Sequence, residues 1–201
     1  MIETFLRIDE LLLTPEGKKE VCFLKNSGEE EAYQSESFAG CTANVALIAK
    51  GELIVANAGD SRCVLSSNGK AIEMSEDHKP ENDTERNRVE KAGGYITNGR
   101  INGNLNLSRA LGDLEYKKNS ELKPGEQLIS PVPEIKRKML TPEDEFIVLG
   151  CDGIWECKSN QAIVEFVAQR LNPTAPVSKL VEELLDDNLA PDTASKFDVF
   201  D

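Results

Sequence analysis

Leu53-Ile54-Val55-Ala56-Asn57-Ala58-Gly59-Asp60-Ser61-Arg62-Cys63-Val64-Leu65-Ser66-Ser67-Asn68-Gly69 is the stretch on which the reading of the fold turns. Leu53 to Ala58 is a short apolar run and Arg62 to Ser66 continues as a second strand. Asn68-Gly69 between two such runs is the strongest short hairpin signal, and Ala71 to Met74 returns the chain. Just upstream, Thr42 to Ala49 is rich in small and β-favouring residues and ends at a Lys50-Gly51 turn. The stretch predicts three or four antiparallel strands joined by tight turns. Strands buried on one face must pack against a second layer.

Working outward, helical patterns flank these strands. Ile2, Phe5, Leu6, Leu12 and Leu13 recur at near-helical spacing, with Pro15 and Gly17 as stops. Residues 26–37 are polar and acidic and read as an exposed loop, with Glu29 to Glu31 a solvated face rather than a metal site. Pro80 to Ala92 reads as a helix capped by Asn82 or Asp83 and ended by Gly93-Gly94. Short strands broken by Asn98-Gly99 and Asn102-Gly103 follow, then a long loop over residues 114–133. Phe146 to Leu149 is a buried strand running into Gly150-Cys151-Asp152-Gly153. Helices over 160–171 and 178–189 close the pattern, the first presenting Ile163, Phe166, Val167 and Leu171 and the second Leu180, Val181, Leu184 and Leu185. The order of elements predicts an α+β class in a single domain over residues 1–201, not alternating βαβ units.

Composition narrows the function. The chain has 201 residues, 39% hydrophobic and 29% charged, which suits a folded domain. Its net charge of −13 argues against nucleic-acid or anionic-membrane partners, which need clustered positive charge. No apolar run reaches the length of a membrane span, and Met1-Ile2-Glu3-Thr4 does not open a secretory signal. Five widely spaced cysteines without a C-x-x-C pair predict reduced thiols and a cytoplasmic or nuclear location. His78 is the only histidine, so a histidine-rich zinc site is excluded.

Two aspartates stand at strand ends beside glycine: Asp60 after Leu53 to Ala58, and Asp152 after Phe146 to Leu149. Carboxylates delivered by rigid strands suit hard divalent cations, but an Asp after a strand also serves as a turn or cap residue. Asp60-Ser61-Arg62 and Ser108-Arg109-Ala110-Leu111-Gly112-Asp113 set arginines near aspartates. Such arginines either fork onto phosphate or pair with the neighbouring carboxylate. His78, before Lys79-Pro80, is read as a structural hydrogen bonder, with acid–base work the alternative. Trp155 is read as a buried anchor whose indole N–H needs a partner, and Cys151 as a packing residue.

Five segments in order carry a resemblance: Gly40-Cys41-Thr42-Ala43, Ala58-Gly59-Asp60-Ser61-Arg62, Asp77-His78-Lys79-Pro80, Leu107-Ser108-Arg109-Ala110-Leu111-Gly112-Asp113, and Cys151-Asp152-Gly153-Ile154-Trp155-Glu156. Val132-Pro133-Glu134 and Leu189-Ala190-Pro191 join them. Together they resemble the metal-dependent protein serine/threonine phosphatases, protein phosphatase type 2C, over roughly residues 1–193. Five matches in order set aside an unrelated acidic β-sandwich.

The resemblance implies a β-sandwich of antiparallel sheets flanked by helices on both outer faces, with a two-metal Mn²⁺ or Mg²⁺ site. It implies hydrolysis of phosphoserine and phosphothreonine in protein substrates by a metal-activated water. Asp152 matches a family metal ligand, Asp60 an aspartate of a further, weaker metal site, and Glu156 stands where that weaker site often has a second aspartate. Arg109 and Asp113 match a segment beside the loop that flanks substrate.

The family's Asp-Gly-His-Gly-Gly motif, with its general-acid histidine, and its Asp-Asn-Met motif do not occur in the sequence; Asp198 and Asp201 lie in a segment of different pattern. The expectation is therefore a catalytic domain incomplete at both ends, with self-association through open sheet edges. The alternative is a non-catalytic binding or regulatory module on the same fold.

Overall fold

A computed structural model describes residues 1–25, 39–172 and 174–189. The acidic stretch at 26–37 and Asp198 and Asp201 lie outside the described residues. The described residues form two compact units, one drawn from residues 1–61 and 74–140 and the other from residues 62–73 and 141–189.

The first unit begins with helix α1 (Ile2–Leu13), which turns directly into α2 (Pro15–Lys25). Pro15 therefore opens a second helix instead of ending the pattern. Thr14 is the reason: its Oγ1 accepts the Gly17 N–H at 3.0 Å, a side-chain cap, while Pro15 fills the first helical position, where a missing N–H costs nothing. Within α1 the inward side chains are Phe5 and Asp9, and Leu13 is exposed.

Strands β1 (Gly40–Cys41), β2 (Ala43–Ala49) and β3 (Glu52–Ala58) follow. After the chain's excursion through the second unit come α3 (Asp83–Lys91), the hairpin β6 (Ile96–Thr97) and β7 (Arg100–Ile101), β8 (Leu111–Gly112) and β9 (Glu134–Met139). The main sheet is antiparallel in the order β2-β3-β9, with Ala43 opposite Ala58 and Asn57 opposite Glu134. Phe5 of α1 packs on Ala56, Ala58 and Leu111. A second cluster, Val89, Ile101, Ala110 and Ile129, joins α3 to the long loop.

The second unit holds β4 (Arg62–Ser67), β5 (Lys70–Glu73) and β10 (Asp144–Gly150) in the antiparallel order β10-β4-β5. Asn68 and Gly69 take φ 49° and 70°, the left-handed pair that a two-residue hairpin matched to strand twist requires. Helices α4 (Asp152–Trp155), α5 (Asn160–Arg170) and α6 (Val177–Asp187) complete it. Val64, Trp155, Ile163, Val164, Val167, Leu180 and Leu184 form its core. Leu171, Val181 and Leu185 are exposed, so the buried stripes of α5 and α6 are narrower than the sequence periodicity suggests. Burial pushes the Cys63 thiol, inside β4, up to about 11, which leaves it inert.

The expected α+β class, with antiparallel sheets and helix layers, is the one observed. No helix among the described residues is long and apolar enough to cross a membrane. Ile163 is fully buried against Val64 and its neighbours. Ile163→Ala should therefore cost about 2–5 kcal/mol of unfolding free energy, read as a lower urea midpoint at unchanged slope.

Candidate functional site

In the first unit, the turn after β3 carries Asp60. Gly59 takes φ 117°, and a Cβ there would lie 2.4 Å from Thr42 Cγ2, so both backbone and space demand glycine. The buried Asn57 donates through Nδ2 to the carbonyls of Gly59 (3.0 Å) and Glu76 (2.9 Å), and its Oδ1 accepts from Asn44 Nδ2 at 3.0 Å. The hydroxyls of Thr42 and Ser61 meet at 2.7 Å.

His78 closes the turn from the other side. Its backbone N–H donates to Gly59 O at 3.1 Å, and the Gly59 N–H donates to His78 Nδ1 at 3.2 Å. Nδ1 also lies 3.2 Å from Gly59 O, and Nε2 lies 3.5 Å from Glu134 Oε2. Burial, with the positive charge of Arg109, pushes the imidazole pKa below its usual value against the pull of Glu85 and Glu134. A neutral, buried, backbone-bridging His78 is the structural hydrogen bonder read from the sequence.

Asp60 is 4% exposed and its Oδ2 accepts from Lys79 Nζ at 2.5 Å. The carboxylate matched to the weaker metal site thus already faces an ammonium. An incoming cation at Asp60 would have to displace or share with Lys79, so Asp60 as it stands is a poor fit to a divalent ion. Lys79 is a participant that the sequence reading left without a role; its only signal was a cation following the lone histidine.

Glu85, on α3, was also missed. Its carboxylate is 2% exposed and accepts from Arg88 Nη1 (2.5 Å), Arg109 Nη2 (2.5 Å), Arg109 Nε (3.1 Å) and Ser108 Oγ (2.6 Å). The readable trace was an (i, i+3) Glu85–Arg88 pair on a helix, which nothing distinguishes from a solvated one. Arg109 therefore pairs with a carboxylate 24 positions away, not with the nearby Asp113, and its Nη1 also donates to Val132 O at 3.1 Å. Its fork is turned inward. Burial alone would raise the Glu85 carboxyl, but the Arg109 hydrogen bonds, the charges of Arg88 and Arg109, and Ser108 together hold it at about 2.

Asp113 sits at the other end of this segment, at φ 47°. A Cβ on Gly40 would lie 2.3 Å from the Asp113 carboxyl carbon, so the two positions fill one space. Burial, then the like charges of Glu115 and Asp9, raises the Asp113 carboxyl against the opposing pull of Lys117. Asp9 anchors α1 here, accepting from Gly112 N at 2.8 Å and Lys117 Nζ at 2.5 Å.

In the second unit, Asp152 opens α4. Its Oδ1 accepts the Gly153 N–H at 2.8 Å, and its backbone carbonyl accepts the Glu156 N–H at 2.8 Å. That bond orients the carboxylate and leaves Oδ2 for a hard cation, and Glu156 lies exposed at the end of the same turn. The chemistry of these two oxygen donors fits Mn²⁺ or Mg²⁺. Among the described residues no group of three or more His, Cys, Asp and Glu is gathered to hold a metal. Trp155 is buried and its Nε1 donates to Gly150 O at 2.8 Å, the anchor expected. Cys151 is exposed, not packed, because β10 ends at Gly150 and the next residue caps a surface helix.

A family model described as Protein phosphatase 2C matches residues 7–197. "Probable protein phosphatase 2C 3" of Paramecium tetraurelia is 54% identical over 197 residues, covering 96% of this chain and 64% of that protein. Of solved structures, a phosphatase from Toxoplasma gondii superposes with a TM-score of 0.62 at 32% identity, over 68% of this chain and 43% of that one. A serine-threonine phosphatase 2C from the same organism gives a TM-score of 0.65 over 92% of this chain and 60% of that one, and at 24% identity shows the shared fold. The chain belongs to the protein phosphatase 2C family. It spans 64% of the length of the Paramecium relative.

The Glu85 network gives a pH expectation. A carboxyl held at about 2 when folded, against 4.5 free, contributes stability that is complete above about pH 4.5 and is lost as pH falls toward 2. Glu85→Gln leaves two buried guanidiniums facing a neutral amide and should cost about 3–5 kcal/mol at pH 7. Its urea midpoint should also depend less on pH between 5 and 2 than that of the parent protein, a comparison made by denaturation series at each pH.

Proposed function

We propose that this chain is part of a metal-dependent protein phosphatase that hydrolyses phosphoserine and phosphothreonine in protein substrates. The observation that carries the reading is Asp152. It lies in the Cys151-Asp152-Gly153-Ile154-Trp155-Glu156 segment, just past the end of strand β10, with one carboxylate oxygen fixed by the Gly153 N–H. Family membership supports the reaction class.

Asp152 would hold Mn²⁺ or Mg²⁺, with Glu156 as a longer, adjustable carboxylate on the same turn. When bound, such ions supply a nucleophilic water at neutral pH and neutralise charge on the phosphoryl group. The protein's own part is geometric. Gly150 and Cys151 end the strand, the Trp155 indole fixes the short helix, and the Gly153 N–H keeps the Asp152 carboxylate in one orientation. Asp60, held by Lys79, belongs to the Gly59-Asp60-Ser61 turn of the first unit and would join a metal only by giving up that pair. Arg109 and Asp113 shape the segment that flanks substrate, Arg109 through its inward pairing with Glu85 and not by touching phosphate. The free cysteines accord with a reducing compartment, cytoplasmic or nuclear.

The test is hydrolysis of para-nitrophenyl phosphate and of phosphoserine and phosphothreonine peptides, with and without Mn²⁺. Turnover should require the metal and fall about a hundredfold or more in Asp152→Ala, beyond the 10–100-fold typical of losing a supporting partner. A folded protein with no metal-dependent turnover would favour the alternative, a binding or regulatory module on the phosphatase fold.

A further inference from the structure

We infer that Arg62 is a positioning residue for the Asp152 carboxylate, acting through Trp155. The inference rests on Asp152 being a metal ligand.

Helix α4 has four residues, too few to be stable from its own hydrogen bonds, so its placement depends on what it is tied to. Trp155, three positions after Asp152, is that tie. Its ring is buried in the core of the second unit, and its Nε1 is bonded to Gly150 O. The Arg62 guanidinium lies over this ring, 5.4 Å from its centroid. Arg62 also stands opposite Gly150 in the β4–β10 ladder, so one residue is joined to the strand that delivers Asp152 and to the indole that fixes its helix. The guanidinium is itself held: Nη1 donates to Asn160 Oδ1 at 2.5 Å, and Asn160 Nδ2 donates to Glu73 Oε1 at 2.7 Å. Asn160 is the first residue of α5 and Glu73 the last of β5, so the clamp is braced by two elements outside the strand–helix corner. Cation over ring and charge-assisted hydrogen bond act together to hold Trp155 in one place. Slackening them would let the α4 turn, and the carboxylate at its start, sample more orientations. Metal affinity would fall while the chain stayed folded.

Trp155 is the only tryptophan, and paramagnetic Mn²⁺ near Asp152 should quench its fluorescence, so binding can be read without turnover. Mn²⁺ is titrated into the full chain, its Arg62→Met and Arg62→Lys variants, and Asp152→Ala as the ligand control. The parent protein should show saturable quenching that Asp152→Ala lacks. Arg62→Met should need about three- to tenfold more Mn²⁺ for half-saturation, the size one cation–π contact and one charged hydrogen bond supply. Arg62→Lys, which keeps the cation, should recover most of that loss. Should Arg62→Met fail to fold, Asn160→Ala, which removes one acceptor from the guanidinium and keeps the cation, should show the same rightward shift in smaller measure. Unchanged half-saturation in a folded Arg62→Met or Asn160→Ala overturns the inference, as does a shift in Arg62→Met that Arg62→Lys does not recover. Absence of saturable quenching in the parent protein sinks the metal reading of Asp152 itself, and this inference with it.

Discussion

A single buried carboxylate, Glu85, organises much of the first unit. An isolated charge in that position would be prohibitively costly, and it persists only because guanidinium and hydroxyl donors converge on it. Those donors come from distant parts of the chain. Arg88 lies one helical turn along α3 and also donates to Gln127 O and Ser108 O, while Arg109 reaches Val132 O. Helix, Ser108–Asp113 segment and long loop are thereby fixed to one point. Ser108 passes the constraint on, because its N–H donates to His78 O, and His78 in turn is bonded to both backbone groups of Gly59. The Asp60 turn therefore inherits its geometry from an ion cluster that sits on a different element.

The two aspartates that look alike in sequence come out differently. Each follows a strand beside a glycine, but only β3 is buried. β10 stands at the end of its sheet with Phe146, Ile147 and Val148 half-buried and Leu149 exposed, not the buried strand that the apolar run suggests. Asp60 is enclosed and paired with a lysine of its own unit, whereas Asp152 spends one oxygen on the adjacent amide at a helix start. Their distinct surroundings arise from what the chain does next. After Asp60 it runs into another strand, and after Asp152 it coils into a short helix anchored by Trp155.

Strands and hairpins were legible because their signals are local. Asn68-Gly69 and Asn98-Gly99 demand left-handed backbone, and alternating or continuous β-branched runs demand a sheet. Pro15 misled because proline ends one helix and begins another with equal ease; only the preceding Thr14 distinguishes the cases. Helix faces were overestimated where Leu171, Val181 and Leu185 continue the apolar period beyond the buried stripe. Of the candidate site, the carboxylates were found and their partners were not. Lys79 meets Asp60 across 19 positions and Glu85 meets Arg109 across 24, and no spacing rule reaches that far. Whether an arginine beside an aspartate turns outward to phosphate or inward to a carboxylate is decided by the tertiary fold, not by its neighbours in sequence.

The crowding between Gly40 and Asp113 carries an evolutionary corollary. Gly40 has no need of glycine's backbone freedom; what bars a side chain there is the carboxylate opposite. The two sites should thus drift as a linked pair, with bulk at one admissible only after the other shrinks. In a set of descendants of this chain, residues 40 and 113 should covary in volume.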